Sequence, residues 1–339
     1  MKDVESLLQP IVGANPCGSN LEYDPAFLDL DRQVQGKPEQ QMGSAVVPAH
    51  EPSWDAVVKS AAALLGRSKD LRIAFHLTRA LLHTDGLAGL RDGLAVLRGL
   101  VERYWDGLFP RLDPDDGNDP TFRVNVLMGL CDPAAVTDRF RTVPLVTSRS
   151  FGRFSLRDLA VASGELPAAP GVEPPTSAAI DGAFAESPIA DLQATAQTLR
   201  ESLEHLAAIE TSVSALVGVA QAPSFSKLSE LVGQAYKILA ARLDRRGVVA
   251  APLAGGSPGD ATVADAAPTT PSGAITSRED VVRLLDRMCE YYERNEPSSP
   301  VPVLLTRCKR LVSANFLDIV RDVAPDAIRQ VEILRGPEK

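Results

Sequence analysis

Apolar residues recur along most of the chain at helical spacing. Between Trp54 and Leu65, residues Val57, Val58, Ala61, Leu64 and Leu65 fall on one helical face, and Pro52 and Ser53 precede it as start signals, with Ser53 in the N-cap position. Leu71, Phe75, Thr78, Leu81 and Leu82 predict a second helix over "KDLRIAFHLTRALLHTDG", and Gly86 suits its C-terminal cap. A third pattern, "GLRDGLAVLRGLVERYWDGLFP", aligns Leu90, Leu94, Leu97, Val101, Tyr104 and Leu108 and is expected to run to Pro110. Gly89, Gly93 and Gly99 inside it each cost roughly 1 kcal/mol of helix propensity relative to alanine, so close packing against a neighbour is the expected compensation. Short connections make the three helices antiparallel neighbours.

A further helix is expected over "TFRVNVLMGLCD", and the alternation in "RTVPLVTSRSFGRFSLRDL" around Gly152 predicts a short hairpin. Residues 166–178, "LPAAPGVEPPTSA", form a proline-rich break, followed by helical patterns in "SPIADLQATAQTLRESLEHLAAIETSVSALVG" and "SFSKLSELVGQAYKILAARL". The composition then changes. "GVVAAPLAGGSPGDATVADAAPTTPSGAITS" is built of small residues and proline, its only charges being Asp260 and Asp265, and reads as a flexible linker that cannot offset its ordering entropy. The fold class is therefore mainly α, in four parts: a helical domain with a small hairpin over 1–165, a middle helical region over 179–245, a linker over 246–277 and a small helical module over 278–336.

In that module, Thr276 and Glu279 have capping-box spacing, and Val281, Leu284, Leu285, Met288 and Tyr292 form a helical face. The stretch "EPSSPVPVLLTRCKRL" then starts a second helix after Ser299, with Pro300 in the first turn and Leu304, Leu305, Cys308 and Leu311 at helical spacing. Phe316, Ile319, Val320 and Val323 mark a third segment, and Ile328, Val331 and Leu334 a fourth. A domain of about 60 residues hides only ~60% of its unfolded surface, so self-association would supply missing burial; a small monomeric bundle is the alternative. Pro297, Pro300 and Pro302 stiffen the bend before the second helix, with Ser299 as its cap and Glu296 near its positive end. The expected oligomerisation residues are Glu296, Pro297, Ser298, Ser299, Pro300, Pro302, Leu304, Leu305, Leu311 and Phe316.

Charge and chemistry narrow the function. The 339-residue chain has net charge -9, which argues against general affinity for nucleic acid or anionic membrane. The start "MKDVESLLQPIV" does not read as an export signal, no run is long enough to insert in a membrane, and the expected location is cytoplasmic. Cys17, Cys131, Cys289 and Cys308 are widely separated, against both a zinc site and a disulfide framework. Cys17 in "NPCGSN" has no local signature of a base, and His76 and His83, two turns apart, would need further ligands to hold a metal. "DPDDGND" resembles a calcium loop only in composition, because its glycine falls at position 5 and Val124 takes the place of the bidentate glutamate. No phosphate loop, dinucleotide fingerprint, HExxH or GxSxG is present. No cofactor is expected, and an enzyme using Cys17 or a His76/His83 metal is the disfavoured alternative, beside a soluble adaptor of an unrelated complex.

Two ordered patches carry a resemblance. "NPCGSNLEYDPAF", Trp54 before a helix, "SKDLRIAFHLTRALLHTDGLAGL" and "ERYWDGLFPRLDPDD" resemble the ImpA-N region of the type VI secretion component family TssA; "YYERNEPSSPVPVLLTRCKRLV" with "FLDIVRDVAPDAIRQVEILRG" is similar to the C-terminal signature of its shorter members. The resemblance implies a cytoplasmic, non-enzymatic assembly factor of a contractile, phage-tail-like machine. Such a factor forms a homo-oligomeric ring through its C-terminal region and contacts baseplate, tube and sheath proteins. Longer members are associated with the distal sheath end. The absence of that extension favours a baseplate-side role here, with a distal cap as the alternative.

Overall fold

The structure is a computed structural model that describes residues 4–13, 15–36, 40–42, 45–47, 51–168, 171–248 and 301–312, together with Val282, Leu285 and Cys289. The chain divides into two compact units, Met1–Ala254 and Gly255–Lys339.

In the first unit, α1 (Val4–Leu7) and α2 (Pro25–Gln33) lead to a two-stranded antiparallel ladder, β1 (Gln40–Met42) with β2 (Ala45–Val47). Three helices follow, α3 (Trp54–Leu65), α4 (Leu71–Thr84) and α5 (Gly86–Tyr104), each packed on the next. The expected Ser53 cap makes no side-chain hydrogen bond to α3. Asp70 caps α4, accepting from the Arg72 amide at 2.8 Å. Gly86, with φ +62°, takes the left-handed turn between α4 and α5. A β-carbon at Gly89 would lie 2.0 Å from the Leu81 carbonyl oxygen, and one at Gly93 would lie 2.7 Å from the Thr78 Cα. These glycines let α5 approach α4 closely, so packing outweighs their propensity cost.

Helix α5 ends at Tyr104 rather than continuing to Pro110. The Trp105 carbonyl, which such a helix would pair with the Phe109 amide, instead accepts from the Arg123 guanidinium at 2.6 Å, as does the Leu108 carbonyl at 2.6 Å. Then come α6 (Thr121–Met128), α7 (Asp138–Thr142) and the predicted hairpin, β3 (Pro144–Ser148) with β4 (Gly152–Ser155), followed by α8 (Leu156–Ala162). Ser155 and Asp158 form a reciprocal capping box on α8.

Helix α9 (Ser177–Glu186) begins at the end of the proline-rich stretch, capped by Thr176, and packs on β3 and β4. Helix α10 (Ile189–Val217) buries Leu192, Ala196, Leu199, Leu206, Ile209 and Val213 and packs on α5 and on α11 (Ser226–Asp244). Helix α5 thus lies between α4 and α10, and the 179–245 helices share one core with the N-terminal helices. In the second unit the described helix is α12 (Val301–Val312). Among the described residues, no helix is long and apolar enough to cross a membrane.

Candidate interaction site

The structure places Pro302, Leu304, Leu305 and Leu311 on α12; Glu296, Pro297, Ser298, Ser299, Pro300 and Phe316 lie outside the described residues. Pro302 is the second residue of the helix, in the first turn, where a missing N–H breaks no helical hydrogen bond. Leu304, Cys308 and Leu311 recur at intervals of four and three, which sets them on one face. Leu304 is 59% exposed, Cys308 is exposed, and Leu305 and Leu311 are half-buried. An amphipathic helix normally turns such a stripe inward, whereas here Leu304 and Cys308 are exposed.

The N-terminal motifs converge on a different kind of structure. Gly18, with φ +75°, sits where a β-carbon would lie 2.1 Å from the Arg67 carbonyl oxygen. The backbone there is stitched to two distant segments: Lys69 N–H donates to the Cys17 carbonyl at 2.8 Å, Phe109 N–H to that of Lys69 at 2.9 Å, and Leu71 N–H to that of Phe109 at 2.9 Å. Lys69 is 1% exposed, and its ammonium donates to the carbonyls of Leu7 (2.7 Å) and Leu65 (3.0 Å). Arg123, also 1% exposed, donates to Pro110 at 2.7 Å as well as to Trp105 and Leu108, with its guanidinium 4.7 Å from the Trp105 ring centre. Burial lowers the Lys69 ammonium and pulls Arg123 down to about 10. Carbonyl dipoles, rather than carboxylates, satisfy both cations. The motifs "NPCGSN", "SKD" and "ERYWDGLFP" therefore build a joint that fixes chain segments.

Sequence reasoning missed both cations. For Arg123 a signal existed: it stands four residues before Leu127, so the two share a helical face, and both are buried.

The residues weighed for catalysis have other occupations. Cys17 is 2% exposed, burial pushes its thiol up from the ordinary range, and its Sγ points to the Tyr104 carbonyl at 4.0 Å. That environment favours the neutral thiol over the nucleophilic thiolate. His76 Nε2 lies 3.1 Å from Asp31 Oδ1, while His83 stacks on Trp54 with ring centres 3.9 Å apart. Among the described residues, no three His, Cys, Asp or Glu side chains are grouped to hold a metal. "DPDDGND" forms a 3₁₀ turn in which Asp113 accepts from the Asp115 amide at 2.9 Å, closed by Gly117 at φ +63°.

Comparison with known proteins agrees with the motif pattern. The family described as ImpA, N-terminal, type VI secretion system matches residues 8–132. Over 350 residues the chain is 47% identical to the type VI secretion system component TssA1 of Pseudomonas aeruginosa, covering 100% of this chain and 99% of that protein. A solved structure, the N-terminal domain including the conserved ImpA_N region of the TssA component of the type VI secretion system from Burkholderia cenocepacia, is similar at TM-score 0.59 and 28% identity. The match covers 73% of this chain and 96% of that one.

Proposed function

We propose, since this chain belongs to the TssA family of type VI secretion system components, that it is a non-enzymatic assembly factor that self-associates into a ring through its C-terminal module. In this reading the ring acts at the baseplate side and coordinates tube and sheath assembly from the cytoplasm. Residues 246–277 act as a tether, on the composition argument above. Many copies on tethers would raise the effective concentration of weak contacts to tail subunits. The observation that carries the reading is the exposed part of the α12 stripe, with Leu304 at 59% exposure and Cys308 beside it. Supporting it, the residues weighed for catalysis are tied up in packing or pairing.

The test is light scattering on the full chain beside a Leu304→Glu, Leu311→Glu variant. The wild type is expected to form one uniform closed particle and the variant to fall to small species with unchanged far-UV circular dichroism. A monomeric wild type, or a variant that keeps the particle, overturns the reading. Pro300→Ala with Pro302→Ala then asks whether the bend sets ring geometry, the expected result being a broadened particle distribution.

A further inference from the structure

A groove of about 490 Å³ opens in the first unit where the α4–α5 turn meets α7, the hairpin and α10. Arg139 and Arg153 line it beside His83, and its walls include Leu87, Val143 and Pro144. Neither arginine makes an ion pair, whereas nine arginine–carboxylate contacts form elsewhere among the described residues. Arg139 spends Nη2 on the His83 carbonyl at 3.3 Å, and its buried Nε has no hydrogen-bond partner. Behind His83, Arg79 lies over the Trp54 ring at 5.7 Å; its Nε and the Trp54 Nε1 are likewise buried without partners.

These buried unsatisfied groups are donors, and Arg139 and Arg153, which do reach the groove, have no carboxylate partner. His83 adds no charge, because burial and the nearby Arg139 and Arg79 pull it down to about 4. Two acids are near. Asp85 lines the groove; Asp132, outside the lining, acts on Arg79 and accepts from the Ala135 amide at 2.8 Å. Arg139 and Arg153 against Asp85 leave the lining positive in a chain of net charge -9. Apolar walls beside unpaired guanidiniums fit a chain that offers both carboxylates and apolar side chains, rather than a bare anion.

We propose that this groove is a docking site for an acidic, partly apolar peptide segment of a partner protein, with Arg139 and Arg153 receiving its carboxylates. This goes beyond the assembly reading and does not depend on α12.

The test is fluorescence anisotropy on the full chain, with a fluorescein-labelled peptide of alternating aspartate and leucine as probe. Arg153→Glu reverses an exposed charge at the rim, and Ala194→Glu adds a carboxylate to the exposed face of α10 that lines the groove. Each is expected to weaken binding about tenfold. Arg245→Glu, an exposed reversal outside the groove lining, is expected to change it less than twofold. Binding by the wild type should fall as salt rises. Three results overturn the proposal: no binding by the wild type at low salt, a loss with Arg245→Glu equal to that with Arg153→Glu, or displacement of the peptide at lower concentration by a single-stranded oligonucleotide of equal charge. Particle size on the same samples reads the assembly proposal separately.

Discussion

Helices α5 and α12 carry the same kind of residue, leucine at helical spacing, and use it in opposite ways. In α5, Leu87, Leu90, Leu94, Leu97 and Leu100 are buried, and its glycines admit a neighbouring backbone where a methyl group would collide. In α12, Leu304 stands 59% exposed on a helix of comparable amphipathic design. Apolar surface with a fitted neighbour is spent on stability, whereas surface without one is available for recognition. The difference therefore separates residues whose replacement should unfold the chain from residues whose replacement should only disconnect it.

The largest effect is expected at the joint supporting the end of α5. Arg123→Met should cost about 3–5 kcal/mol in urea denaturation, since three carbonyls lose a charged donor in a buried site. A loss below about 1 kcal/mol would show that the joint is not the support of the first unit. Next, Gly89→Ala should cost about 1–3 kcal/mol through collision with α4. Gly233→Ala in α11, where a β-carbon meets nothing within 4 Å, should instead gain about 0.5–1 kcal/mol. Equal signs for the two substitutions would refute the close-approach explanation.

A smaller, pH-dependent effect belongs to His83. In the unfolded chain it takes a proton near 6.5, but when folded only near 4, so its contribution is complete above pH 6.5 and declines as pH falls from there toward 4. His83→Phe, which keeps a ring against Trp54, should flatten stability across that window. Smallest of all is the expected change in unfolding free energy for Leu304→Glu, within about 0.5 kcal/mol of wild type. Size-exclusion chromatography of the same variant should nevertheless show loss of the assembled species.

Periodicity located α3, α4, α5, α10 and α11 because each buries a regular face, and Gly152 located the hairpin because the turn needs its φ of +93°. Helix α2 escaped because "PAFLDLDRQ" buries only Phe27 and Leu30, too few positions to establish a period. Helix α9 escaped because its small residues, "SAAIDGAFAE", give little apolar contrast. At the sites, the α12 stripe was legible as spacing, since exposure does not alter spacing. The joint and the basic groove were not, because a cation against distant carbonyls looks in sequence like any surface cation. Lys69 meets Leu7, and Arg139 meets His83, through tertiary contact.

The environments of the two aromatic indoles also supply an optical handle. Trp54 lies against His83 and Trp105 beneath the Arg123 guanidinium, and the chain has no other tryptophan. Emission excited at the red edge of the protein spectrum therefore comes entirely from the unit Met1–Ala254. Subunits joining through α12 should leave that light unchanged, while protonation of His83 near pH 4 should quench the Trp54 share of it. Loosening of Arg123 should move the Trp105 share to longer wavelength. One cuvette thus distinguishes titration from unfolding by brightness and colour, while assembly is silent in both.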